Sequence, residues 1–187
     1  FTHTLTKNLA VMETEVTQGM WDALRAAGPS GFPPANPSNW TGSNLPVEQV
    51  TWYEAVLFAN RLSVLRGLTP CYYTDSAKTT AINAGNYDNN DTIYCDFGAS
   101  GYRLPREGEW ERACRAGTTT PFSVAEPSFT SCDIYCSTGA LPGLESVAWF
   151  CANSGYQTHP VGQKNANPRG LKDIHGNVWE WCWDWNG

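Results

Sequence analysis

The sequence is poor in charge. Asp, Glu, Lys and Arg make up only 16% of its 187 residues, and the net charge is −6. That share is low for a globular protein. Without a Lys/Arg cluster or a basic stripe, nucleic-acid binding is excluded as a working function. No apolar run approaches the length of a membrane span, and no signal peptide is visible. There is no internal repeat and no linker, so residues 1–187 read as one domain. Nucleophile-elbow and phosphate-loop motifs are missing. So is any Cys-x2-Cys pair, and Cys132-x3-Cys136 has no matching second knuckle, which weighs against zinc.

What the chain has in quantity is aromatics, turn formers and cysteine. Nine Trp, eight Tyr and seven Phe accompany 17 Gly and 12 Pro, a composition for a packed core carrying much loop. Seven cysteines point to an oxidising, extracytoplasmic compartment with two or three disulfides. Cys71 and Cys95 flank a polar Asn/Asp loop and are expected to close it. Cys132 or Cys136 is expected to pair with Cys151, and the odd count leaves a thiol over.

Three helices are predicted. The first covers Gln18 to Ala27, with Met20, Trp21 and Leu24 on one face. The second covers Trp52 to Arg66, opened by the capping box Thr51-x-x-Glu54 and stopped by Gly67, with Val56, Phe58, Ala59 and Leu62 buried. The third covers Glu107 to Ala116, with acids in its first turns and Trp110 and Ala113 facing the core. Short strands are predicted at Leu5–Glu13, at Tyr72–Thr74 paired with Ile93–Asp96, and at Val178–Trp185. Residues 28–46 and 117–152 read as loops. This pattern is an α+β fold poor in regular structure.

The richest stretch is 169–185, with Trp179, Trp181, Trp183 and Trp185 at alternate positions. In a strand they share one face, opposite Val178, Glu180, Cys182 and Asp184. The carbonyls of Gly176 and Val178 would then converge with the carboxylates of Asp173 and Glu180, an all-oxygen set suited to a hard cation such as calcium. A core strand whose acids merely cap a turn is the plainer alternative. Exposed tryptophans would offer stacking surface to a sugar or peptide, although most tryptophans are simply core.

The run Gly170-Leu-Lys-Asp-Ile-His-Gly-Asn-Val-Trp-Glu-Trp181 resembles the signature of the formylglycine-generating, sulfatase-modifying-factor family. In the same order come Glu15-Val-Thr-Gln-Gly-Met-Trp21, Asn36-Pro-Ser-Asn-Trp40, Pro46-Val-Glu-Gln-Val-Thr-Trp52, Gly101-Tyr-Arg-Leu-Pro-Arg-Glu-Gly-Glu-Trp-Glu111 and Thr158-His-Pro-Val-Gly162. The resemblance spans residues 8–185 and implies a single C-type-lectin-like domain. It implies a structural calcium held by Asp173, Gly176, Val178 and Glu180. Members that make formylglycine oxidise a sulfatase cysteine with oxygen and copper(I), through a cysteine pair beyond the Trp-Glu-Trp motif. None of the seven cysteines here matches that pair, so the resemblance implies a C-terminally incomplete domain that is not catalytic as it stands. Copper is expected only if such a pair exists further on. The alternative is a secreted or surface module of the same fold, stabilised by calcium, that binds a protein or glycan or serves in assembly. A second chain or a further segment would complete the sheet.

Overall fold

The computed structural model describes residues 8–28, 33–88, 92–120, 122–124 and 143–184. These fall into two compact units, one from residues 1–17, 40–46 and 105–187, the other from 18–39 and 47–104. Among the described residues there are five helices and one two-stranded antiparallel sheet, in keeping with an α+β fold with little regular structure. No described helix is long and apolar enough to cross a membrane.

The second unit holds α1 (Gln18–Ala26), α2 (Trp52–Leu65), β1 (Tyr72–Tyr73) and β2 (Tyr94–Cys95). In α1, Trp21 and Leu24 are buried as their spacing predicts, while Met20 is exposed and Gln18 takes the third inward position. Gln18 can be buried because its side-chain oxygen accepts from Asn36 Nδ2 at 2.9 Å. The Trp21 ring stacks on Phe58 of α2, with centroids 5.2 Å apart. The predicted capping box is present. Thr51 Oγ1 accepts from the Glu54 N–H at 3.2 Å, and Glu54 Oε2 accepts from the Thr51 N–H at 2.7 Å.

One polar side chain organises this unit. Asn60, 2% exposed on α2, donates from Nδ2 to the carbonyls of Tyr72 and Ile82 at 2.8 and 3.1 Å. Its Oδ1 accepts from the N–H groups of Cys71 and Tyr72 at 3.1 and 3.0 Å. The amide is thereby fully satisfied and fixes the helix to the strand.

The predicted pairing of the 72 and 94 segments is observed, with Tyr72 opposite Cys95 and Tyr73 opposite Tyr94. That register corrects the expected Cys71–Cys95 disulfide: both residues carry thiols. Cys71 lies one position off from Cys95, and a one-residue offset puts two side chains on opposite faces of a ribbon. Cys151 is disulfide-bonded, and its expected partners Cys132 and Cys136 lie outside the described residues.

The first unit holds α3 (Glu107–Arg115), α4 (Leu144–Val147) and α5 (Cys151–Ser154). The last two replace part of the expected 117–152 loop. Ala113 and Cys114 of α3 pack with Leu171 and Ile174, and Trp110 lies against them. Leu144, Val147 and Ala148 form a second cluster with Phe122, Val124 and Phe150. Two predicted strands are absent among the described residues: 8–13 is irregular, and 178–184 has no ladder, with bends at 178 and at 183–184. In place of a ladder, 178–184 has tethers. The Trp183 N–H donates to the Pro105 carbonyl at 2.8 Å, and Asp184 Oδ2 accepts from the Glu107 N–H at 2.6 Å. Trp179 is fully exposed and Trp181 is 50% exposed, whereas Trp183 is half-buried.

Because Asn60 satisfies four buried backbone groups, Asn60→Ala should cost about 2–4 kcal/mol of stability. Urea unfolding would measure this, and a loss below about 0.5 kcal/mol, the size of an ordinary surface change, would show that the amide is not a structural tie.

Candidate functional site

The site is the turn at 173–180 in the first unit. It is shaped by two residues in the left-handed backbone region, Asp173 at φ 64° and Asn177 at φ 70°. Asp and Asn tolerate that region better than other side chains. Between them the Gly176 N–H donates to the Asp173 carbonyl at 2.9 Å, and the Gly176 carbonyl accepts from the Val178 N–H at 3.0 Å. A side chain at Gly176 would overlap the Trp149 backbone, so the turn can sit this close only with glycine there. The Asn177 N–H donates to the Trp149 carbonyl at 2.8 Å. Trp149 is itself held by a stacked His159 ring at 3.7 Å and by the Lys164 ammonium over its face.

Glu15 grips the turn from far away in sequence. Its Oε1 accepts from the Val178 N–H at 3.1 Å, and its Oε2 accepts from Asn177 Nδ2 at 2.7 Å. Asn177 also pairs with the His159 backbone through both ends of its amide, at 2.9 and 3.1 Å. These bonds fix which way the amide points.

Asp173 and Glu180, the predicted side-chain ligands, sit at the two ends of this turn. Asp173 is 1% exposed. Its Oδ2 accepts from the Gly162 N–H at 2.6 Å, whereas its Oδ1 is sealed from water and has no partner. Glu180 Oε2 accepts from Trp110 Nε1 at 2.8 Å. Glu180 is exposed as a residue, yet loss of water around its carboxyl raises its pKa, against the lowering effect of the Trp110 hydrogen bond. Burial also raises Asp173, and the Asp173 charge further raises Glu180. Glu15 is pushed up to about 9 by burial, with repulsion from Asp173 and Glu180 adding to it. The charges of Asp173 and Glu180 thus disfavour ionisation of Glu15, and that of Asp173 disfavours ionisation of Glu180. Gly176 and Val178 lie in the turn, and one lone pair of the Gly176 carbonyl is already engaged by the Val178 N–H.

Sequence reasoning placed Glu15 in a motif but not in the site. Nothing in its local spacing marks it, because its contacts are all long-range. His175 flanks the turn in a structural role. Its Nε2 accepts from the Ser123 N–H at 3.2 Å and lies 2.8 Å from Ser123 Oγ. Its Nδ1 lies 3.3 Å from Cys114 Sγ. Burial lowers the His175 pKa, which favours the neutral ring these contacts require.

The raised Glu15 pKa sets a pH dependence for metal-free protein. A carboxyl with a higher pKa folded than unfolded adds stability that is complete below its ordinary value of 4.5 and is lost as pH rises towards about 9. Denaturation in chelator should therefore show stability falling across that window, with a shallower fall in Glu15→Gln. An identical slope in the variant would contradict the assignment.

The family model described as the sulfatase-modifying factor enzyme 1-like domain matches residues 2–187. Chaperone protein LppX of Paenibacillus barcinonensis is 36% identical over 177 residues, which is 92% of this chain and 60% of that protein. A formylglycine-generating enzyme of Mycobacterium tuberculosis is 37% identical over 86 residues, 44% of this chain and 27% of the enzyme. Treponema denticola variable protein 1 is similar in structure, with TM-score 0.65 and 34% identity over 92% of this chain and 61% of its own. The chain thus spans about 60% of the length of these two longer-matching relatives. With nearly every residue inside that match, the chain belongs to the sulfatase-modifying factor enzyme 1-like family.

Proposed function

We propose that this chain is a calcium-stabilised, C-type-lectin-like module that works outside the cytoplasm by presenting a surface to a protein or glycan, and that its own cysteines perform no oxidation. The observation that carries the reading is the sealed, unpartnered Oδ1 of Asp173, together with the repulsion that the Asp173 charge exerts on the Glu180 carboxyl. A hard cation relieves both penalties at once. Asp173 and Glu180 would hold it through carboxylate oxygens, and Gly176 and Val178 through carbonyls. Among the described residues, no three His, Cys, Asp or Glu side chains are grouped to hold one ion, so the backbone oxygens would be essential to the set. Bound calcium would supply charge neutralisation and nothing redox-active.

The thiols support a role other than cysteine oxidation. Copper(I) is a soft ion that binds thiolates. Burial pushes the thiols of Cys114 and Cys182 up to about 11 and raises Cys71 as well, which keeps all three protonated at neutral pH. An oxidase role would need a thiolate pair elsewhere in the protein. For ligands, the exposed Trp179 and Trp181 rings offer stacking area. The unladdered backbone of 178–184 offers an edge to a further segment or a second chain.

Calorimetry in calcium and in chelator tests the reading. Saturating calcium, at about 100 times its Kd, adds roughly 2.7 kcal/mol and should raise Tm by about 5–10 °C. Asp173→Asn and Glu180→Gln should abolish the difference, and copper(I) should not substitute for calcium. Equal melting in calcium and chelator, or stabilisation by copper(I) alone, would contradict it.

A further inference from the structure

The second unit contains a cavity of about 500 Å³ between α2 and the 79–84 segment. That volume lies within the usual range for small-ligand sites, about 300–1,000 Å³. Leu57, Val64, Pro70 and Ile82 give it an apolar wall, and Arg61 supplies a cationic group. The polar side chain of Asn60 also lines it but is wholly used in holding β1 and Ile82.

Arg61 is the unusual feature. Its Nε is sealed from water without a hydrogen-bond partner. The one hydrogen bond of its guanidinium is long, from Nη2 to the Ala27 carbonyl at 3.4 Å. No carboxylate among the described residues pairs with it. Two acids near the cavity wall in sequence are committed elsewhere: Glu54 accepts from the Thr51 N–H at 2.7 Å, and Asp75 accepts from the N–H groups of Thr79 and Thr80 at 3.1 and 2.8 Å. The guanidinium lies against Gly28, where any side chain would overlap it. The half-buried guanidinium therefore has one sealed donor, Nε, that nothing satisfies, and an unmet buried donor is costly.

We propose that this cavity binds a small amphipathic carboxylate, its apolar tail against Leu57, Val64, Pro70 and Ile82 and its carboxylate paired with Arg61. The Arg61 side chain can turn about its flexible stem, exchanging the sealed Nε for a forked pair with the ligand. A free aliphatic acid and the C-terminal residue of an apolar peptide share this chemistry. The site lies in a different unit from the calcium turn and stands independently of it.

Titration of the whole chain, followed by backbone amide NMR, tests the proposal. The probes are octanoate for a free acid and N-acetyl-leucine for a peptide terminus, with octanol and octylamine as neutral and cationic controls. Either carboxylate should shift the amides of Arg61, Ala81, Ile82 and Ala84, and the tighter of the two identifies the source. Arg61→Met keeps the stem and should weaken binding about tenfold or more. Val64→Trp, at an exposed position on the rim, should block entry without disturbing the core. Equal binding of octanol, unchanged affinity in Arg61→Met, or shifts confined to the Trp179–Trp181 face would overturn the proposal.

Discussion

The grip of Glu15 on the Asn177–Val178 turn is the constraint on which the candidate site depends. It closes a loop of 162 residues with two hydrogen bonds, and it does so with a carboxyl driven towards its protonated form. The His159 backbone also orients the Asn177 amide and the Gly176 carbonyl also takes the Val178 N–H, but only Glu15 ties the two together through one side chain. The turn also leaves Asp173 and Glu180 close enough that the charge of each adds to the rise in the Glu15 pKa.

The two units use buried polar groups in contrasting ways. In one, Asn60 makes four hydrogen bonds and is complete, as a rigid structural tie should be. In the other, Asp173 is left half-satisfied, with one oxygen bonded and one bare. Buried polar groups are rarely left this way, and those that are call for an explanation. The proposed cation would supply the positive charge that Asp173 lacks in the first unit, and the proposed carboxylate a partner for Arg61 in the second.

Local signals in the sequence were reliable where local physics decides. The Thr51–Glu54 box, the α3 start at Glu107 and the pairing of the 72 and 94 segments all follow from neighbours in sequence. The register of that pairing was not legible, and so Cys71 and Cys95 were assigned a bond that the ribbon's alternation forbids. The alternating tryptophans promised a strand, but a strand needs a partner edge, and 178–184 has tethers to Pro105 and Glu107 in its place. Met20 fits the helical stripe of α1, yet Gln18 is the residue buried there, because Asn36 satisfies it from beyond the helix. Asp173, Gly176, Val178 and Glu180 were recognisable as one turn. Glu15 and the orphaned Asp173 oxygen emerge only when distant segments are brought together.

Terbium luminescence gives the most direct test of the central claim, since Tb³⁺ takes the hard oxygen ligands of calcium and is sensitised by a nearby indole. Trp110, bonded to Glu180, stands at the required place. The account predicts indole-sensitised emission that calcium displaces and that Trp110→Phe and Glu180→Gln both diminish. No emission, or emission indifferent to calcium and to both substitutions, would contradict a cation at this turn.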